Sequence, residues 1–481
     1  MMADAQHLAH ELQILCQRYQ ALLLNMDEHS LSVAVHGSPS AEMLAALRFA
    51  GNRQILIEQW PLAKMEQRLN PLKTVAEAPE DYHAEPEDRG NDEDAPAVHF
   101  INQTLRLAIQ RRASDIHLEP LPTCCRIRLR IDGVLQEIAS PAAELTARIT
   151  ARLKIMGRLN IAERRLPQDG QFSITLDQRV YSLRIATLPV QYGEKVVLRI
   201  LQTQRQELAL DKLGLVENDL ARLTGVLSLP QGMILVTGPT GSGKTVTLYS
   251  AIRWLNDVSR NICSVEDPIE IPLPGINQTA INPKADLDFS RILRAMLRQD
   301  PDVIMVGEIR DSETADIAVK AAQTGHLVMS TLHTNSAVET LTRLRHLGIP
   351  GYLIAAALKL VISQRLVRRL CPHCKTPAEP LSHLPAELWR GPLRHWQAKG
   401  CGHCLSGYYD RIAIYELLVI TPELRQALAD NASNSRLTQL SRQSGSLPLL
   451  AAGLARVNEG VTSITEIYRI VGAGALGREV A

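Results

Sequence analysis

The stretch Gly238-Pro-Thr-Gly-Ser-Gly-Lys-Thr245 narrows the possible folds more than any other in the chain. It satisfies G-x-x-x-x-G-K-[ST] and lies between the apolar run Met233-Ile-Leu-Val-Thr237 and a helix-like segment, residues 246–255. A strand that turns sharply into a helix aims successive backbone N–H groups and the positive end of the helix dipole at one point, which suits a triphosphate. Gly238, Gly241 and Gly243 let the main chain wrap closely, with Pro239, Thr240 and Ser242 completing the loop. Lys244 would reach the β- and γ-phosphates, and the Thr245 hydroxyl would ligate Mg²⁺. A chance glycine turn does not require the flanking strand and helix, so the context predicts a nucleoside triphosphate site in an α/β fold.

The rest of the chain divides around this loop. Residues 204–370 alternate strands and helices, as in a RecA-like sheet with helices on both faces. Residues 97–203 predict a second α/β domain, with a helix over 99–111. Its strand Cys125-Arg-Ile-Arg-Leu-Arg-Ile131 alternates strictly, Asp132-Gly133 signals a hairpin turn, and strands follow over 180–185 and 195–201. Residues 75–96 are acidic and Pro-rich without apolar periodicity, a solvated linker, with an acidic interaction tail as the alternative. Residues 1–74 predict a small α/β module with helices over 8–24 and 41–50 and strands over 31–35 and 53–58. Residues 371–404 are bounded by cysteines, and 405–481 are expected to be mainly helical.

Charge and hydropathy remove other classes. Lys plus Arg number 52 against 51 Asp plus Glu, and aromatics make up 4%. That balance gives no reason to expect a nucleic acid as partner. No apolar run approaches the ~20 residues that span a bilayer, and the opening Met-Met-Ala-Asp-Ala-Gln-His has no signal-peptide character. A cytoplasmic protein is expected, with any membrane association made through a partner.

Several constellations carry chemistry. Ile304-Met-Val-Gly-Glu308 is a buried strand ending in a carboxylate, where an NTPase keeps a group for Mg²⁺ or the attacking water; Gly307 stands where an Asp is common. Glu308 could instead cap the next helix. Ser264-Val-Glu-Asp-Pro268 puts Glu266 at another strand end, as a general base or as a solvated turn acid. His326 and His333 bracket an apolar strand, and His333 falls past its end, where it could sense a γ-phosphate or serve structure alone. Arg128, Arg130, Arg184 and Arg199 occupy strand positions in 97–203. Cations there could stabilise transition-state charge, or pair with acids.

Cys371-Pro-His-Cys374 and Cys401-Gly-His-Cys404 form two C-x-x-C knuckles separated by residues 375–400. Two knuckles complete a tetrahedron for Zn²⁺ with no open position, hence a structural site. Cys16, Cys124, Cys125 and Cys263 are scattered and read as packed thiols.

Together these residues resemble the secretion and pilus motor ATPases, the type II secretion and type IV pilus assembly ATPases, from about residue 97 to the end. The glycine loop resembles their Walker A, Ser264-Val-Glu-Asp-Pro-Ile-Glu270 their Asp box, and Leu293–Asp311 their atypical Walker B, Gly307 included. The stretch Thr324-Gly-His-Leu-Val-Met-Ser-Thr-Leu-His-Thr-Asn335 resembles their His box. Ala113-Ser-Asp-Ile-His-Leu-Glu-Pro120 and Arg128-Leu-Arg-Ile-Asp-Gly133 resemble the domain before the motor core. The short N-terminal module is nearest to that of pilus-assembly ATPase homologues of enteric bacteria.

The resemblance implies a RecA-like ATPase core preceded by a PAS-like α/β domain and a small N-terminal docking module, with a zinc-knuckle insertion and a helical C-terminal region. It implies a homohexamer with ATP, Mg²⁺ and Zn²⁺, acting at the inner membrane on a platform protein that adds pilin-like subunits. ATP would lie between residues 97–203 and the core. Glu266, Glu308, His333, Arg184 and Arg199 carry over as catalytic-site residues. Two departures stand out. An Arg-Leu-Gly-Glu-type opening is absent, so cyclic di-GMP binding is not expected. Asp410 stands where relatives have Gly, at a cost on the order of 1 kcal/mol if that position needs positive φ. Retraction motors typically lack the four-cysteine module, and a nucleic-acid translocase would call for basic, aromatic-rich surfaces.

Overall fold

A computed structural model describes residues 95–201, 208–382, 384–386 and 388–472, together with residues 16, 21–26, 30–35, 39, 43–44, 47 and 54–60. The acidic linker and most of the first expected helix lie outside the described residues. The described part divides into two compact units. One comprises the residues up to 60 with 153–161 and 169–185; the other comprises the remainder.

In the first unit, strands β1 (Leu22–Met26), β2 (Ser30–Val35) and β3 (Gln54–Gln59) form one sheet. β1 pairs antiparallel with β2, and β2 pairs parallel with β3. Leu22, Leu23 and Leu24 are therefore strand rather than the end of the expected helix over 8–24. Their ladder to β2, with Leu22 opposite Ala34, overrides the high helix propensity of leucine. Buried Leu31, Val33 and Val35 of β2 pack with Met43 and Leu47.

The domain before the core begins with a helix at Ala95–Gln110. It continues with β4 (Asp115–Pro120), β5 (Cys125–Ile131), β6 (Val134–Ala139), the hairpin of β7 (Gln168–Leu176) and β8 (Arg179–Val190), and β9 (Gly193–Leu201). β5 alternates buried and half-buried residues along its length, as its sequence predicts. Asp132 (φ 49) and Gly133 (φ 84) make the tight turn into β6. One face of β4, β5 and β9 is charged, and its charges are paired. Glu119 meets Arg126 at 3.0 Å, Arg128 at 2.7 Å and Lys195 at 3.1 Å, while Asp115 meets Arg199 at 2.9 Å and Arg130 at 3.7 Å. Despite the resistance that burial offers to ionisation, the three cations hold the Glu119 carboxyl down to about 2.

The core sheet contains β10 (Gly232–Thr237), β11 (Ile262–Glu266), β12 (Asn277–Ala280), β13 (Val303–Val306), β14 (Leu327–Leu332), β15 (Leu358–Leu370) and, past the cysteine module, β18 (Tyr408–Val419). Its order is β12-β11-β13-β14-β10-β15-β18. The strands from β12 to β15 run parallel, and β18 closes the edge antiparallel to β15. β10, β11, β13 and β14 are buried on both faces, as continuous apolar strands of a parallel sheet should be. One face packs a core including Leu293, Ile304, Ala318 and Leu341; the other packs Leu227, Leu248, Tyr249 and Ile252.

Between β15 and β18, the cysteine module carries the hairpin β16 (Lys375–Leu381) and β17 (Leu393–Ala398). Residues 405–481 open with strand β18 and turn helical from Pro422 on: Pro422–Ala429, Asn434–Gln443, Leu449–Asn458 and Ile464–Val471. Among the described residues no helix is long and apolar enough to cross a membrane.

Candidate nucleotide and metal sites

Parallel strands end on one edge, and loops leaving adjacent carboxyl ends converge there. The phosphate loop follows β10, Glu266 closes β11, Glu308 follows β13 and His333 follows β14. All four border a cavity of 1020 Å³. The sequence-predicted site residues of the core are therefore brought together by sheet order alone.

Gly238, Gly241 and Gly243 have φ of 150°, 79° and 89°, which L side chains rarely adopt. Gly243 leads into the helix Lys244–Leu255, with Thr245 in its first turn, exposed to the cavity. The Lys244 ammonium donates to Gly238 O at 2.9 Å and Pro239 O at 3.1 Å. Burial lowers its pKa and Arg365 adds to this, with Glu308 opposing. The Glu308 charge thus acts on Lys244, as expected of two groups that would share a phosphate and its metal.

Glu308 is mostly buried, ion-pairs with Arg310 and lies 3.7 Å from His333 Nε2. It does not cap the next helix; Asp311 does, accepting the Thr314 N–H at 2.8 Å. Gly307 also gains an explanation. Its N–H donates to Val265 O at 2.8 Å and its carbonyl accepts from Thr331 Oγ1 at 2.7 Å. A Cβ there would come within 3.3 Å of Val265 O and 3.5 Å of the Glu266 Cα. A side chain at this position, where many NTPases place an Asp, would press on the Val265 carbonyl and require β11 to give by a few tenths of an ångström.

Glu266 is buried and held by three donors: Tyr249 OH, Ser264 Oγ at 2.6 Å and Gln278 Nε2 at 3.0 Å. The two carboxylates therefore differ, Glu308 facing the lysine and histidine, Glu266 fixed in the wall. His333 is half-exposed; burial and then Lys244 lower its pKa, Arg310 adding to this and Glu308 opposing, so the neutral ring is favoured. His326 is instead structural, its Nδ1 at 3.0 Å from Ala321 O.

Beneath the loop lies polar support that the sequence did not single out. Thr334 N–H donates to Thr237 Oγ1 at 3.0 Å, tying the His333 loop to the end of β10. Arg365 donates to Asn335 O at 3.2 Å, and the Gln364 amide touches the phosphate loop itself. Tyr249, buried in the helix behind the loop, holds Glu266. A Ser-Gln-Arg triplet interrupting the apolar residues 360–367 of β15 was the available signal; Tyr249 carries none, since it reads as core.

Arg184 is exposed on β8. Arg199 is 63% exposed, paired with Asp115, and does not line the cavity. Arg128 and Arg130 are likewise paired with acids.

The four knuckle cysteines place their Sγ atoms within 4.8 Å of one another. Cys371–Cys401 is 3.8 Å, Cys374–Cys404 3.7 Å and Cys401–Cys404 3.6 Å. A tetrahedron of about 2.3 Å zinc–sulfur bonds has edges of about 3.8 Å, so the donor set fits Zn²⁺. The remaining four cysteines are not in this cluster. Asp410, just beyond, has φ 70°, confirming a left-handed backbone at that position.

Comparison with known proteins agrees with this geometry. Residues 90–469 match the family described as "Type II/IV secretion system protein". The chain is 50% identical over 463 residues to the "Protein transport protein HofB homolog" of Escherichia coli (strain K12), covering 96% of this chain and 98% of that protein. It is 48% identical over 385 residues to the "Type IV pilus assembly ATPase PilB" of Pseudomonas aeruginosa, covering 79% of this chain and 68% of that protein. Among solved structures, the pilus retraction motor PilT with bound ADP aligns with TM-score 0.51 at 27% identity, over 76% of this chain and 95% of that one. On the family match over residues 90–469, the near full-length similarity and the shared fold, the chain belongs to the type II/IV secretion system protein family and is an ATP-hydrolysing enzyme.

Proposed function

We propose that the chain is a cytoplasmic hexameric motor that couples MgATP hydrolysis to the assembly of pilin or pseudopilin filaments through an inner-membrane platform protein. The observation that carries this reading is the convergence of Lys244, Thr245, Glu308, Glu266 and His333 on one cavity at the carboxyl edge of a parallel sheet. Lys244 and the loop amides hold the phosphates and Thr245 ligates Mg²⁺. Glu308, which faces Lys244, meets the metal and the attacking water; Glu266 fixes the opposite wall; neutral His333 senses the γ-phosphate. Arg184, exposed on β8, and Arg199, paired with Asp115 outside the cavity, would have to reach the nucleotide to meet charge developing in the transition state. Zn²⁺ on Cys371, Cys374, Cys401 and Cys404 stiffens the end of the β15–β18 ribbon. That cysteine cluster, with the similarity to a pilus assembly ATPase, favours assembly over retraction. No nucleic acid and no cyclic di-GMP enters the scheme.

The test is ATP turnover by the purified protein, wild type and Lys244→Ala, with and without the platform protein's cytoplasmic domain. Turnover that depends on Lys244 and rises with the platform domain is expected. Equal activity in the two proteins would refute the nucleotide site, and stimulation by DNA in place of the platform domain would point to a translocase.

A further inference from the structure

We propose that Gln364 is a positioning residue that holds the phosphate loop in its nucleotide-binding shape from behind, an inference that rests on the assignment of that loop to ATP. A loop with three glycines at positive φ has many unbound conformations available, and each would scatter the N–H groups that a phosphate needs aligned. Something outside the loop must fix it. Gln364 is 1% exposed on β15 and uses both ends of its amide there. Its Nε2 donates to Ser242 O at 2.6 Å, and its Oε1 accepts from Thr247 Oγ1 at 2.8 Å. One side chain thus spans the residues on either side of Gly243, Lys244, Thr245 and Val246.

The anchor is itself rigid. In β15, Ser363 pairs with Thr237 of β10, and Gln364 pairs with Tyr415 of β18, so the strand is held on both sides. The approach is close enough to constrain the loop sequence. A Cβ on Gly238 would lie 2.6 Å from Gln364 O, and one on Gly243 would lie 3.0 Å from Gln364 Nε2. The orientation of the amide is fixed by chemistry: reversed, it would set an oxygen against the Ser242 carbonyl. Gln364 acts through the main chain of the loop, and the loop binds ground state and transition state alike. Loss of the clamp should therefore appear in affinity rather than in turnover.

The full-length protein is compared as wild type, Gln364→Glu, Thr247→Val and Thr247→Ser. Gln364→Glu keeps the shape and the acceptor for Thr247 but loses the donor to Ser242. KM for MgATP and Kd for ADP should each rise about tenfold, with kcat within about twofold. Thr247→Val, which removes the other half, should raise both about threefold, and Thr247→Ser should restore wild-type values. Wild-type ADP affinity in a folded Gln364→Glu protein of unchanged melting temperature would overturn the proposal. So would equal losses in Thr247→Val and Thr247→Ser, a comparison that serves even if Gln364→Glu fails to fold. Lys244→Ala, measured alongside, separates the two levels. If it binds ADP normally the site assignment falls; if it loses ADP while Gln364→Glu keeps wild-type affinity, only the clamp falls.

Discussion

The phosphate loop and the cysteine knuckle adjoin the same strand, β15, and prepare for charge by opposite means. The loop offers main-chain N–H groups and one lysine, bent into place at three positive-φ glycines and open to a large cavity. The knuckle offers four side-chain thiols at tetrahedral spacing and leaves no coordination position free. A site made of backbone can let its ligand come and go, because nothing in its framework depends on occupancy. A site whose packing is the ligand set needs its ion permanently. On the proposed function, chemistry belongs to the first and shape to the second.

The largest effect that could break this contrast is on turnover. Lys244→Ala and Glu308→Gln should each cut ATP hydrolysis by about 10²-fold or more, with zinc content unchanged by metal analysis. Cys371→Ser should do the reverse: metal falls from about one Zn per chain, limited proteolysis opens residues 371–404, and KM for ATP moves less than about twofold. A Cys371→Ser protein as inactive as Lys244→Ala would show that the two sites are not separable.

A third test lies between them. Glu416 of β18 is buried, accepts the Ala337 N–H at 3.3 Å, and burial pushes its carboxyl up to about 7 from an ordinary 4.5. The folded state then holds a proton that the unfolded state releases, so stability is full below about pH 4.5 and is lost as pH rises toward 7. Glu416→Gln removes that loss. Its advantage over wild type in denaturant unfolding should grow by on the order of 1 kcal/mol per pH unit across that window, then level off. A constant difference would show that Glu416 ionises normally. The smallest effect is expected at Asp410, where φ is 70° and the side chain reaches Arg112 at only 4.0 Å, both groups well exposed. Asp410→Gly relieves about 1 kcal/mol of backbone strain and loses a weak ion pair, so it should be neutral to slightly stabilising. The Asp410 N–H contact to Asp132 at 3.1 Å survives the change.

How much of this was legible beforehand follows the same contrast. Residues that act through local pattern were readable: the loop, because Gly and Lys fall at fixed offsets; the knuckle, because C-x-x-C does; β5, because its alternation is local. Residues that act across the sheet were not. Gln364 matters only because β15 lies beside β10, and nothing near it in sequence announces the Ser242 carbonyl. β18 sits in a region expected to be mainly helical, because its partner lies on the far side of the cysteine module and long-range pairing leaves little local trace. Leu22, Leu23 and Leu24 suffered the same ambiguity, a leucine run suiting helix or strand until its neighbour is known.

The course of β15 has an evolutionary corollary. Side chains alternate along β15 as far as the irregularity between Arg368 and Leu370, so adding or deleting one residue between Gln364 and Arg368 would shift the strand's exit and carry Cys371, just past its end, away from the other thiols. Homologous chains that keep both should preserve that interval while letting residues 375–400 grow or shrink, so length variation in the family ought to accumulate beyond the first knuckle and stop abruptly before it.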